Sequence, residues 1–151
     1  MTRTIRPRLL RVAGAQMAGT QKSDSRRHTI DRLIALLEAA AADKATFVVF
    51  PELAFTTFFP RWFFPNTQEL DTYFERAMPN ANVQPLFDRA RELNIGFNIG
   101  YAELTESGQR FNTSIIVNPD GSLLGKYRKI HLPGSVEPRE GAHFQQLEKR
   151  Y

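Results

Sequence analysis

Apolar positions change their period along this chain, and each change marks a different element. Residues 9–17, Leu-Leu-Arg-Val-Ala-Gly-Ala-Gln-Met, form a mainly apolar run that predicts a first strand. Ile30, Leu33, Ile34, Leu37 and Ala41 then fall at i, i+3, i+4, i+7 and i+11. That spacing predicts an amphipathic helix over 24–43, with Ser23 or Asp24 offering the N-cap. Phe47-Val48-Val49-Phe50 is a short continuous apolar run, suited to a strand covered on both faces. Helical patterns return at about 67–77 and 82–94, separated by Pro79, the second carrying Val83, Leu86, Phe87, Ala90 and Leu93. Residues 95–104 and 111–117 read as strands, with Ser107-Gly108 as the turn between them. Asn118-Pro119-Asp120-Gly121 is a strong hairpin signal, and 123–131 is the strand that pairs back.

The predicted order is β-α-β-α-α-β-β-β, which fits an α/β fold with a mixed sheet covered by helices on one face. The other face of such a sheet is left apolar, so something else is expected to cover it. One stretch fits no period. Residues 54–66 hold Phe55, Phe58, Phe59, Trp62, Phe63 and Phe64, with Pro60 and Pro65 breaking regular structure. This loop walls a site mouth, buries itself at a subunit contact where aromatics are enriched, or forms a satellite cluster under its own chain.

Composition narrows the class. At 151 residues, one domain spanning 1–151 is the default, with 1–8 as a basic tail. Hydrophobic residues make up 42% and charged residues 24%, which supports a packed core and argues against disorder. The apolar runs are far shorter than a membrane span, and Arg11 interrupts the first before a signal-peptide core forms. No membrane role is expected, and without cysteines for disulfides a cytoplasmic location is the simplest reading. The net charge of +4 comes from scattered basic residues without a reading motif, so no nucleic-acid partner is expected.

Two charged residues stand where chemistry is done. Glu52 follows the apolar run 46–50 and sits at a strand tip, a rigid mount for a functional group. Burial there would raise its pKa towards the range of a general base. The bland alternative is a cap on the next helix or a pair with a surface arginine. Lys129 lies in Lys126-Tyr127-Arg128-Lys129, where alternation turns Tyr127 and Lys129 one way and Lys126, Arg128 and Ile130 the other. An ammonium at that place can stabilise the oxyanion of an acyl transfer. The bland alternative is an edge strand defended by lysines. Glu148, in Leu147-Glu148-Lys149-Arg150, reads in isolation as a helix-surface charge. His28, His131 and His143 have no metal-ligand spacing, and there is no glycine-rich phosphate loop, so neither metal nor cofactor is expected. Serine-triad chemistry stays open, although the chain has no Gly-x-Ser-x-Gly elbow.

Taken as strings, the motifs say more than residue types do. Phe50-Pro51-Glu52-Leu53 after an apolar strand, followed by Tyr127-Arg128-Lys129-Ile130-His131-Leu132, resembles the nitrilase superfamily of carbon–nitrogen hydrolases. Residues 53–62, 96–104, 110–114, 125–134 and 147–151 look like the N-carbamoyl-D-amino-acid amidohydrolases within it. The resemblance runs from about Leu10 to Tyr151, and 135–146 departs most from the pattern.

The resemblance implies a four-layer αββα sandwich, of which this chain is the N-terminal half. It implies a glutamate base, a lysine that stabilises the tetrahedral intermediate and a cysteine nucleophile. Glu52 matches the base and Lys129 the lysine. Glu148 matches a second glutamate that orients the lysine and helps place substrate. The chain contains no cysteine. It is expected to be inactive alone, since losing a nucleophile from a cooperative set costs several orders of magnitude in rate. The substrate implied is a small N-carbamoyl amino acid, and the partner a homo-oligomer or a complementing C-terminal half. Two alternatives stand beside this: a related amidase acting on carbamoylputrescine or ureidopropionate, or a non-catalytic remnant or interaction module.

Overall fold

The computed structural model describes residues 9–132. The elements are β1 (Val12–Gly14), α1 (Arg26–Ala42), β2 (Phe47–Val49), α2 (Thr67–Asp71), α3 (Gln84–Glu92), β3 (Gly96–Leu104), β4 (Arg110–Val117) and β5 (Leu123–Arg128). They follow the predicted order. The strands form one sheet in the order β1-β2-β3-β4-β5. β1, β2 and β3 run parallel, whereas β3, β4 and β5 pair antiparallel.

Strand alternation divides the sheet cleanly. Val48 on β2, Phe97, Ile99 and Tyr101 on β3, and Ile115 and Val117 on β4 point to the helix side. There they pack with Ile30, Leu33 and Leu37 of α1 and Leu86, Phe87 and Ala90 of α3 in the main core. Phe87 meets Phe97 edge-on with ring centroids 5.2 Å apart. The opposite face carries Val12, Phe47, Val49, Asn98, Gly100, Asn112, Ser114, Ile116 and Tyr127. Among its apolar members Val12, Val49, Ile116 and Tyr127 are exposed. The expected one-sided helix cover is therefore present.

The aromatic loop accounts for part of the second face. Leu53, Phe59, Phe64, Leu70 and Phe74 cluster with Ala102 and Leu104 at the far end of β3. Phe59 stacks on Tyr73 at 5.0 Å and meets Phe74 edge-on at 5.2 Å. Residues 54–66 thus contribute Phe59 and Phe64 to a satellite cluster, whereas Phe55 joins the main core and Phe58 also borders a small cleft beside Glu52.

Several boundaries differ from the sequence expectation, and three of the differences have a local reason. β1 is three residues long rather than nine, because its neighbour β2 offers a ladder of only three residue pairs. α1 is capped by Ser25, whose hydroxyl accepts from the His28 amide at 3.1 Å, rather than by Ser23 or Asp24. Asp24 is occupied instead by the Gln21 amide at 2.8 Å. α2 stops at Asp71 rather than continuing to 77, because Glu75 pairs with β3 in extended form. Its amide donates to Ala102 O at 2.7 Å and its carbonyl accepts from the Leu104 amide at 3.0 Å. β5 ends at Arg128 rather than 131. Between β4 and β5 the predicted turn closes as read, with Gly121 at φ +87° and the Asn118 amide donating to Ser122 O at 2.8 Å.

Candidate active site

Topology brings Glu52 and Lys129 to one rim. β5 is antiparallel to β4, and β4 is antiparallel to β3, so β5 runs in the same direction as β3 and its parallel partner β2. The chain leaves β2 just before Glu52 and leaves β5 just before Lys129. Both residues thus emerge at the same end of the sheet, with β3 and β4 between them. Neighbouring strands are about 4.8 Å apart, so β2 and β5 lie three spacings or about 14 Å apart, and the turn after β2 and the side chains must close that gap over the open face.

Gly100 of β3 makes the crossing possible. A Cβ there would lie 2.9 Å from Glu52 Cα, 3.1 Å from Leu53 N and 3.2 Å from Pro51 O. Those are backbone atoms, so only glycine lets the 51–53 turn lie down on the sheet. The turn is pinned on both sides: the Gly100 amide donates to Pro51 O at 3.3 Å and Gly100 O accepts from the Ala54 amide at 2.9 Å. Leu53 adopts φ +49° immediately after Glu52. A left-handed non-glycine residue costs about 1–2 kcal/mol, and such strain collects at functional sites. Burial of the Leu53 side chain in the aromatic cluster offsets it.

At the rim, Lys129 Nζ lies 2.7 Å from Glu52 Oε1. Asn112 Nδ2, from β4, donates to the same oxygen. Among the described residues, Glu52 Oε2 accepts from none. The site is a cleft of about 370 Å³ lined by Glu52, Lys129, Asn98, Asn112, Ser114 and Tyr127, among others. Asn98 Nδ2 donates to Ser114 Oγ and to Ile115 O, both at 2.8 Å. His131 borders the cleft as well.

The electrostatics of Glu52 correct one expectation. Burial pushes its carboxyl up, but hydrogen bonds from Lys129 and Asn112, with the lysine's charge, outweigh it and hold the pKa below its ordinary value. The side chain is 46% exposed, so desolvation is too weak to raise it. Glu52 is thus a carboxylate at neutral pH, and the expectation of a raised pKa does not hold.

The two bland readings also resolve residue by residue. Among the described residues Glu52 neither caps a helix nor pairs with an arginine; its partners are Lys129 and Asn112. β5 is an exposed edge strand, and Lys126 and Arg128 do turn away from the cleft, to Glu103 on the other face. Lys126 Nζ reaches Glu103 Oε1 at 2.7 Å, and the Arg128 guanidinium grips both carboxylate oxygens at 2.9 Å. Lys129 alone of the basic run points into the site. Glu148, residues 135–146 and the tail 1–8 lie outside the described residues. Asn112 and Gly100 were not singled out from sequence, because an asparagine or a glycine on a strand looks like any other. Among the described residues, no group of three or more His, Asp or Glu could hold a metal ion.

The profile of the carbon–nitrogen hydrolase family matches residues 11–151. The chain belongs to this family. An omega-amidase of Homo sapiens is 31% identical over 125 residues, covering 80% of this chain and 42% of the relative. An N-carbamoylputrescine amidase of Solanum tuberosum is 28% identical over 140 residues, covering 91% of this chain and 43% of the relative. A crystal structure of a nitrilase-superfamily member from Saccharomyces cerevisiae superposes with a TM-score of 0.66 at 28% identity, over 82% of this chain and 45% of that one. An amidase from Nesterenkonia sp. gives a TM-score of 0.69 at 22% identity over 98% of this chain, a likeness of fold. The chain therefore spans a little under half the length of the curated relatives it matches. The mixed sheet with its helices is the nitrilase-type α/β fold. The superfamily expectation is thus met, but the relatives named are an omega-amidase and an N-carbamoylputrescine amidase and do not single out the N-carbamoyl-D-amino-acid amidohydrolases.

Proposed function

We propose that this chain supplies the base and the oxyanion-stabilising cation of an amidase that hydrolyses the carbamoyl C–N bond of N-carbamoyl-D-amino acids. The observation that carries this is the Glu52–Lys129 contact of 2.7 Å inside an open cleft. In this reading the nucleophile is a cysteine thiol from residues other than these 151, none of which is cysteine. Glu52 takes the thiol proton, and sulfur attacks the carbamoyl carbon. The Lys129 ammonium stabilises the negative oxygen that forms. Glu52 returns the proton to the leaving nitrogen, and ammonia departs. Water then cleaves the thioester-like intermediate, giving carbon dioxide and the free amino acid. Glu148, outside the described residues, is assigned to orient the lysine. The D-carbamoyl substrate rests on the strings around 53–62, 96–104 and 125–134.

A second substrate is favoured by one finding. A relative that matches 91% of this chain is an N-carbamoylputrescine amidase, whose substrate shares the carbamoyl group. Ammonia release decides between them. The chain is combined with a cysteine-bearing complementing half and offered an N-carbamoyl-D-amino acid, N-carbamoylputrescine and an omega-amide in parallel. Release is expected with the first, absent from the chain alone, and reduced about 10²–10⁴-fold by Glu52→Gln, the range of a lost general base. Equal rates for wild type and Glu52→Gln would sink the base assignment. Preference for carbamoylputrescine would replace the substrate and leave the chemistry.

A further inference from the structure

Asn112 touches both functional residues through different atoms. Its side-chain Nδ2 donates to Glu52 Oε1, across 60 residues of sequence. Its backbone carbonyl accepts from the Lys129 amide at 2.8 Å, the bond that follows the last rung of the β4–β5 ladder. The residue is buried, at 6% exposure, so neither bond competes freely with water. On its other side it pairs with Ala102 of β3. From β4, Asn112 thus ties the adjoining end of β5 to the turn after β2, reaching that turn over β3.

We propose that Asn112 is the positioning residue of this site. It holds Glu52 so that Oε1 is committed to Lys129 and Oε2 is the oxygen that handles the proton. The inference rests on the reading of Glu52 as base, but its geometry does not. Two donors on one oxygen make the carboxylate asymmetric. Lys129 and Asn112 saturate Oε1, while Oε2 meets no described donor. A lysine alone, on four rotatable bonds, can move from one oxygen to the other. A short, buried asparagine anchored in a strand cannot follow, and so decides which oxygen the lysine shares. The same residue fixes Lys129 at its backbone, which keeps the two charges in register.

The test uses the purified full chain with carbon-13-labelled glutamate carboxyls, titrated by NMR. The Glu52 signal is assigned by its loss in Glu52→Gln. Asn112→Leu removes the donor and is expected to move the Glu52 midpoint to higher pH. Asn112→Asp keeps the shape and the backbone bond, so it guards against a variant that merely misfolds. It is expected to move the midpoint the same way, because a second carboxylate opposes ionisation of the first. Asn98→Leu, an asparagine in the same cleft that bonds Ser114 rather than Glu52, is expected to leave the midpoint in place. A merely structural Asn112 would lower the melting temperature and leave the Glu52 midpoint unmoved in both variants, and that result overturns the proposal. If instead Glu52 proves dispensable for amidase activity in the combined protein, the base assignment falls while the titration result still stands.

Discussion

Glu103 is the most heavily partnered carboxylate among the described residues. Arg128 grips it most strongly, against the upward push of burial, and Lys126 and the Thr113 hydroxyl add to the hold. The carboxyl is drawn down from 4.5 to about 2. A folded pKa below the unfolded one contributes stability that is present above the unfolded value and lost as pH falls through the folded one. Glu103 therefore stabilises the fold above about pH 4.5 and loses that contribution between 4.5 and about 2. Melting curves across pH should show Glu103→Gln less stable than wild type at pH 6, with the gap closing towards pH 2. A gap that stays constant with pH would contradict the ion-pair account. Glu52 and Lys129 were legible in the sequence through the strings Phe50–Leu53 and Tyr127–Leu132 and their resemblance to the superfamily, since strand position by itself left each open to a surface-charge reading. Asn112 and Glu103 were not, since their partners lie 60, 23 and 25 residues away and only the folded register joins them.

Elements explain which boundaries the sequence could show. α1 and α3 bury regular apolar stripes, so their period alone locates them. α2 carries a helical pattern past Asp71, but backbone pairing of Glu75 with β3 outweighs that weak local preference. Propensity is worth tenths of a kcal/mol per residue, whereas an unpaired buried backbone group costs about 1–3 kcal/mol. The turn after β2 yields a sharper expectation. Gly100→Ala drives a methyl into the backbone of 51–53, which has no room to yield. Overpacking of this kind costs about 1–3 kcal/mol. Urea denaturation should show that loss, and the Glu52 environment should shift with it. Ser25→Ala should cost about 1 kcal/mol by the same assay, as the loss of an N-cap. A Gly100→Ala chain as stable as wild type would mean that the turn does not rest on the sheet.

For the whole molecule, the one-sided sheet decides behaviour in solution. The aromatic cluster shields the far end of β3, but Val12, Val49, Ile116 and Tyr127 remain 53%, 40%, 41% and 56% exposed on the open face of the sheet. Apolar surface is worth about 25 cal/mol per Å², so a patch of a few hundred Å² is worth several kcal/mol to any surface that covers it. The purified chain is expected to self-associate, and light scattering should report a mass above 17.3 kDa. A monodisperse monomer with a sharp melt would show that the face is content in water. Composition and patterning showed that one face would lack helices, yet not that the aromatic loop would fold back over part of it. β5 carries a last consequence for how such a chain tolerates change in length. Odd and even positions there serve opposite faces: Tyr127 and Lys129 the cleft, Lys126 and Arg128 the carboxylate behind it. Deleting one residue between Gly125 and Lys129 reverses that parity and exchanges both charge sets at once. Deleting two restores parity but withdraws Lys129 by about 7 Å, beyond reach of Glu52. Insertions and deletions are therefore confined to the Asn118–Ser122 turn, where an added residue changes neither face.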